Sequence, residues 1–226
     1  MRPIRLRPWT WISGLLIFFG SGLLGLALQA QPGLRLQAHL AYAEPAPAGL
    51  RAPRLELKAG SRLWLEGNST LHPYSVEATR LLLEGTVEPS SGPLNWRIVE
   101  LKVRIPVAGL KSGIEGLDRN MYRDLKADQH PEIRFILTGY TTLSPTSAEG
   151  NTIQARGRLL VAGVERDIEL QAQLTISGNE IRVEGSKELF MTDFGITPRR
   201  FLGFMRVDNK ITVRFALVFL VQTEQS

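Results

Sequence analysis

The chain has 226 residues, 43% of them apolar, enough for one or two domains with a real core. It has no cysteine, so disulfides, thiolate catalysis, thiolate metal sites and lipidation of a cysteine are excluded. The net charge of +5 suggests a polyanion binder, but removing four arginines in residues 1–43, a stretch without acids, leaves +1, and no Lys/Arg run remains to carry a nucleic-acid partner.

Arg2, Arg5 and Arg7 precede an uncharged apolar run from Trp9 to Ala30. This is the layout of a secretory signal. Ala41-Tyr42-Ala43 offers the small residues of a cleavage site, and Ala30 a second one. Left uncleaved, about 20 apolar residues can anchor in a bilayer. Residues 1–43 are therefore expected to be a signal peptide or membrane anchor, with the body periplasmic or secreted. Residues 44–53, EPAPAGLRAP, read as a Pro/Ala linker, and 54–226 as one domain.

From there the period is two. Val99, Leu101, Val103 and Ile105 alternate with charged or polar residues. So do Ile168, Leu170, Ala172, Leu174 and Ile176, and Ile211, Val213, Phe215, Leu217 and Phe219. Such alternation marks antiparallel strands with one apolar and one wet face. EPSSGP at 88–93, SPTSAEGN at 144–151, Ala162-Gly163 and Ser177-Gly178-Asn179 supply turns. About eight strands are expected, near 61–70, 74–87, 94–106, 132–143, 151–161, 165–177, 179–190 and 207–222. An all-β closed barrel or a two-sheet sandwich accommodates them, and the barrel leaves no exposed edge.

Two segments break the alternation. In GLDRNMYRDLKADQHPEIRF, Leu117, Met121 and Leu125 share one face of a short helix, with Asp118 as expected N-cap. Arg119, Arg123 and Lys126 face away, and Pro131 is expected to end the helix. The second segment, 190–206, gathers Phe190, Met191, Phe194, Phe201 and Phe204. Methionine and phenylalanine concentrated off the strands suit lids over a barrel end, either plugging the core or lining a pocket. Met121, Tyr122, Leu125 and these five are candidate ligand contacts. Trp64, His72 and Tyr74, where the first two strands meet, are candidates at the mouth; a turn histidine bonded to backbone is the plainer reading of His72. Arg199 and Arg200 are candidates for an anionic head group, or an ordinary exposed pair.

Catalytic patterns are thin. No helix-spaced His pair, nucleophile elbow, P-loop or dinucleotide fingerprint occurs, and neither a metal nor a cofactor is expected. A Ser–His–Asp set would have to assemble from Ser69 or Ser75 with His72.

The succession GLDRNMYRDLKADQHPEIRF, GRLLVAGVERDIELQAQL, TDFGI and ITVRF, led by SRLWLEGNSTLHPYS, resembles the YceI-like proteins of bacteria over about Arg54 to Gln222. The resemblance implies an all-β, eight-stranded antiparallel lipocalin-like barrel, with the short helix and the aromatic-rich loop as lids. It further implies an apolar tunnel for a long-chain molecule (a polyisoprenoid, quinone or other lipid) and an exported, non-enzymatic carrier. A membrane tether through the leader and a homodimer stay open as further partners. The commoner family pattern Arg-Asp-x-His is replaced here by Leu117-Asp118-Arg119-Asn120-Met121, which removes a histidine near the mouth. The alternatives are a cell-envelope interaction or structural module with a filled barrel, and a lipid-ester hydrolase.

Overall fold

Period-two alternation builds long strands, and here they pair in chain order until the last meets the first. The computed structural model describes residues 52–91, 95–147, 150–201 and 205–223. The leader and most of the linker lie outside the described residues.

The strands are β1 Arg54–Leu57, β2 Arg62–Ser69, β3 Pro73–Ala78, β4 Leu82–Pro89, β5 Trp96–Pro106, β6 Leu110–Lys111, β7 Glu132–Ser147, β8 Gly150–Val161, β9 Val164–Ser177, β10 Glu180–Phe190, β11 Arg200–Phe201 and β12 Met205–Gln222. β1 and β2 are two halves of one bent strand, since both pair with β12, at Leu57↔Phe219 and Leu65↔Val213. Only a short bend likewise separates β3 from β4. β1 also meets β4 at Arg54↔Thr86. The result is a closed, eight-stranded, antiparallel up-and-down barrel, in which each long strand is paired on both sides over at least part of its length. Among the described residues every pairing lies between Arg54 and Gln222, and so do both clusters of buried apolar side chains. Residues 47–226 form one compact unit that holds this ring and core.

One cluster, around Phe219, Ile181, Val87 and Leu174, fills one end of the barrel. The other, around Leu110, Val107, Val76, Leu125 and Phe194, gathers the non-strand segments. The Ala162-Gly163 hairpin has both residues at positive φ (49° and 85°), the mirror-image turn that matches strand twist. A side chain at Gly163 would strike the His130 ring at 2.4 Å, so that ring fills the space above the turn.

Four expectations are corrected. The chain enters the sheet at Arg54, not at 61, because RLEL already alternates. Val99 does not face inward: Thr86 pairs with Glu100 but Val87 with Ile98, so Val99 is the extra residue of a β-bulge. It is 41% exposed, and Ile98 is buried in its stead. The helix α1 runs Glu115–Asp124, so Asp118 sits inside it rather than at its N-cap. Its end is made not by Pro131 but by Lys126 at φ 53°, with Ala127 N bonded to Tyr122 O (2.9 Å) and Lys126 N to Arg123 O (3.1 Å). That pair of bonds is a Schellman motif.

Candidate ligand cavity

Each long strand turns one alternate set of side chains inward. Leu63 and Leu65, Leu101, Val103 and Ile105, Ile133, Phe135 and Leu137, and Ile211, Val213, Phe215 and Leu217 are such sets. They enclose a cavity of about 520 Å³, reaching from Phe219 in the lower cluster to Leu71 and His72 at the mouth. Pockets that hold small molecules span roughly 300–1,000 Å³. The wall is almost wholly apolar.

Glycines keep the space open. Gly67, Gly157 and Gly185 all occupy inward positions, and each has an aromatic ring laid against it. An added Cβ at Gly67 would lie 2.4 Å from Tyr74 Cζ, at Gly157 2.3 Å from Phe135 Cε2, and at Gly185 2.7 Å from Phe215 Cζ. With no side chain beneath, each ring lies flat along the wall instead of standing into the lumen. Burial of the Tyr74 hydroxyl, with some help from Asp208, pushes its pKa up, so it stays neutral.

The two lid segments meet over the upper end. α1 presents Leu117, Asn120, Met121, Asp124 and Leu125 to the cavity, and Arg119, Arg123 and Lys126 to solvent. Above Gly185↔Ala172 the pairing of β9 with β10 stops. A single helical turn, Met191–Phe194, follows β10 there and buries Phe194 at 4% exposure. Arg199 joins the lids: its Nε and Nη2 donate to both carboxylate oxygens of Asp124, each at 2.5 Å. That bidentate bond, offset by partial desolvation, raises the Arg199 pKa.

Asp118 secures the approach to α1. Its Oδ1 accepts from Ser112 N (2.8 Å) and Ser112 Oγ (2.6 Å). Burial acts to raise its pKa, but the two bonds from Ser112 and the charge of Lys111 outweigh it and hold the carboxyl below its usual value.

The structure sorts the sequence candidates. His72, Tyr74, Met121, Leu125, Phe190, Met191, Phe194 and Arg199 line the cavity. Trp64 does not: it lies between inward Leu63 and Leu65 and so points out, donating to Glu66 (3.0 Å) with Arg62 stacked 5.3 Å from its ring. Tyr122 does not either. Its hydroxyl donates to Leu110 O (2.7 Å), fastening α1 to β6, and Lys111 lies 5.3 Å over its ring. Arg199 was expected at a head group, but Asp124 already neutralises it. Arg200 is exposed and off the wall. The side chain of Phe201 and all of Phe204 lie outside the described residues.

His72 is exposed at the mouth with Nδ1 3.0 Å from Pro73 O. Ser69 Oγ donates to His72 O (2.9 Å) and accepts from the amides of Leu71 and His72 (3.3 Å each). That hydroxyl caps a hairpin, and Ser75 faces outward, so neither candidate serine is poised against the His72 ring. Among the described residues no group of acids and histidines is arranged to hold a metal.

Sequence reasoning missed Lys187. It follows Val183 and Gly185 on the inward face of β10 and lines the cavity. Counting by twos through VEGSKELF would have found it. Of the charged side chains on the wall, Asp124 and Arg199 cancel, leaving Arg206 and Lys187, whose charge also acts on Glu169 off the wall.

The sequence matches the YceI-like domain over residues 69–219. The chain belongs to the YceI-like family. Among solved structures, BcnA of Burkholderia cenocepacia superposes with a TM-score of 0.58 at 14% identity, covering 72% of this chain and 99% of that one. A polyisoprenoid-binding domain from Saccharophagus degradans, implicated in plant cell wall breakdown, gives 0.54 at 15% identity, covering 77% and 100%. Identities this low speak for the fold alone. No curated protein matches the chain.

Proposed function

We propose that this YceI-like barrel is an exported, non-enzymatic carrier that holds one long-chain apolar molecule, of the polyisoprenoid or prenyl-quinone class, along its lumen. The observation that carries the reading is the 520 Å³ cavity, walled by inward aliphatic and aromatic side chains and open past His72. A chain-like lipid gains about 0.8 kcal/mol per buried methylene, so such a wall binds well without specific polar contacts. Discrimination between neighbouring chain lengths is weak for the same reason. Lys187 offers one cation on the wall to a carbonyl or acidic end group. The polyisoprenoid-binding description of the Saccharophagus degradans neighbour supports the ligand class. The basic start and apolar run of the leader support export.

A hydrolase is disfavoured by the use of Ser69 as a backbone cap. A filled structural barrel is disfavoured by the lumen itself: Met121 and Phe194 pack inward as that reading requires, yet the space below them stays open. The test is organic extraction of purified residues 47–226 followed by mass spectrometry. One dominant prenyl species, near one per protein, is the expected result. A blank extract, together with failure to take up an added prenyl quinone, overturns the reading.

A further inference from the structure

The rim of the mouth is unusual in composition. Five large apolar side chains are exposed among the described residues: Leu71, Val99, Ile114, Leu143 and Phe190. Single exposed apolar residues are ordinary. Three of these five, however, line the same cavity although they come from three separate elements. Leu71 tips the β2–β3 hairpin at 65% exposure, Ile114 precedes α1 at 56%, and Phe190 ends β10 at 46%.

Next to Leu71 lies a second anomaly. Arg200 and Arg206 are direct register partners on the β11–β12 hairpin. Directly opposed residues project from the same face, where like charges repel. No carboxylate lies within ion-pair distance of either guanidinium among the described residues; Asp208 acts instead on Lys210 and Tyr74. The hairpin tip is tied to this pair, since Thr70 N donates to Arg206 O and Arg206 N donates to Thr70 Oγ1, both at 3.0 Å. An exposed leucine therefore stands beside two unneutralised arginines, at the opening of an apolar cavity whose remaining charge is positive.

We propose that this rim docks on an anionic lipid bilayer, with Leu71, Ile114 and Phe190 entering the interface and Arg200 and Arg206 meeting lipid phosphates. Apolar side chains beside cations are the make-up of an interfacial anchor, and the opposed arginines lack the counter-charge that an anionic surface supplies. The inference rests on the carrier reading, because a long apolar molecule crosses water at great cost. A mouth seated in the interface gives it a dry path from the bilayer into the lumen.

The test is co-sedimentation of residues 47–226, which exclude the apolar leader, with phosphatidylcholine vesicles with and without phosphatidylglycerol. Wild type should partition onto the anionic vesicles and be released by salt. R200Q/R206Q should lower the partition coefficient roughly 25-fold, about fivefold for each charge. L71S/I114S/F190S should abolish binding, with circular dichroism confirming the barrel. Arg200→Gln, which lies off the cavity wall, should leave the extracted lipid unchanged. Wild type remaining in the supernatant, or binding indifferent to both sets of substitutions, overturns the proposal. So does a concentration-dependent dimer, lost in L71S/I114S/F190S without vesicle binding, which assigns the rim to a second copy. Extracted lipid without vesicle binding removes the docking and leaves the carrier reading intact. Vesicle binding with a blank extract does the reverse.

Discussion

Substituting Gly67→Ala tests whether the lumen is held open by rings lying on glycines. The new Cβ would stand 2.4 Å from Tyr74 Cζ and Oη and 2.9 Å from Cε1, where carbon contacts ordinarily fall near 3.5–4.0 Å. The ring must therefore move about 1.1 Å, and with the strand behind it the free direction is the cavity. Those three contacts all belong to the outer part of one side chain, so the barrel itself need not shift. Alanine in an ordinary strand conformation stabilises by about 0.4–1 kcal/mol through the unfolded chain, and overpacking costs about 1–3 kcal/mol. The net loss should be about 1–2 kcal/mol, a fall in Tm of roughly 2–8 °C for a domain of this size. A ring standing into the lumen displaces about two methylene contacts at about 0.8 kcal/mol each, roughly tenfold in Kd. Thermal melts by circular dichroism and titration with a fluorescent long-chain probe read the two effects separately. Gly67→Ala combined with Tyr74→Leu should recover the affinity. A Gly67→Ala protein that is more stable and binds equally well would refute the reasoning.

Further outcomes follow from the same geometry. Asp124→Asn should unclasp the lids and speed ligand exchange about fivefold for about 1 kcal/mol, with little change in Tm; stopped-flow displacement measures it. Asp118→Asn should cost about 1.5–3 kcal/mol at neutral pH, since it weakens bonds to a charged acceptor. The Asp118 pKa is depressed in the folded protein, so its contribution is present above the unfolded value near 3.9 and is lost as pH falls through the folded one. Melts between about pH 6 and pH 2 should therefore show a flatter acid limb in the Asn variant. Trp64→Ala should leave probe binding unchanged, whereas Leu65→Ala, its neighbour on the inner face, should weaken it; equal effects would mean the strand parity is wrong.

Much of the barrel was legible because alternation reports directly on which side of a strand a residue faces. The run Ile211, Val213, Phe215, Leu217 and Phe219 is inward along β12 as the sequence indicates, and the stripe Leu117, Met121 and Leu125 does face the core. Val99 escaped because a bulge changes parity without changing composition. Trp64 was misplaced by the appeal of an aromatic near a mouth, although Leu63 and Leu65 on either side already assigned it outward. Lys187 was equally readable by parity, two steps on from Val183 and Gly185.

Other parts of the site could not be read along the chain. Arg199 and Asp124 are 75 residues apart, and nothing local shows that their segments converge. Tyr122 sits next to Met121, yet a step of about 100° around the helix turns it from the cavity toward the Leu110 carbonyl. The glycine–aromatic pairs depend on strand register, which fixes Gly185 opposite Phe215 and Gly67 opposite Tyr74. Side-chain type suggested a greasy interior, but only these pairings explain why it is hollow.

A crystal structure of residues 47–226, purified without delipidation, tests the central claim most directly. Continuous elongated density running from Phe219 past Phe135 and Tyr74 to His72 is the predicted result. A lumen filled by its own side chains or by ordered water alone, under the same conditions, would contradict it.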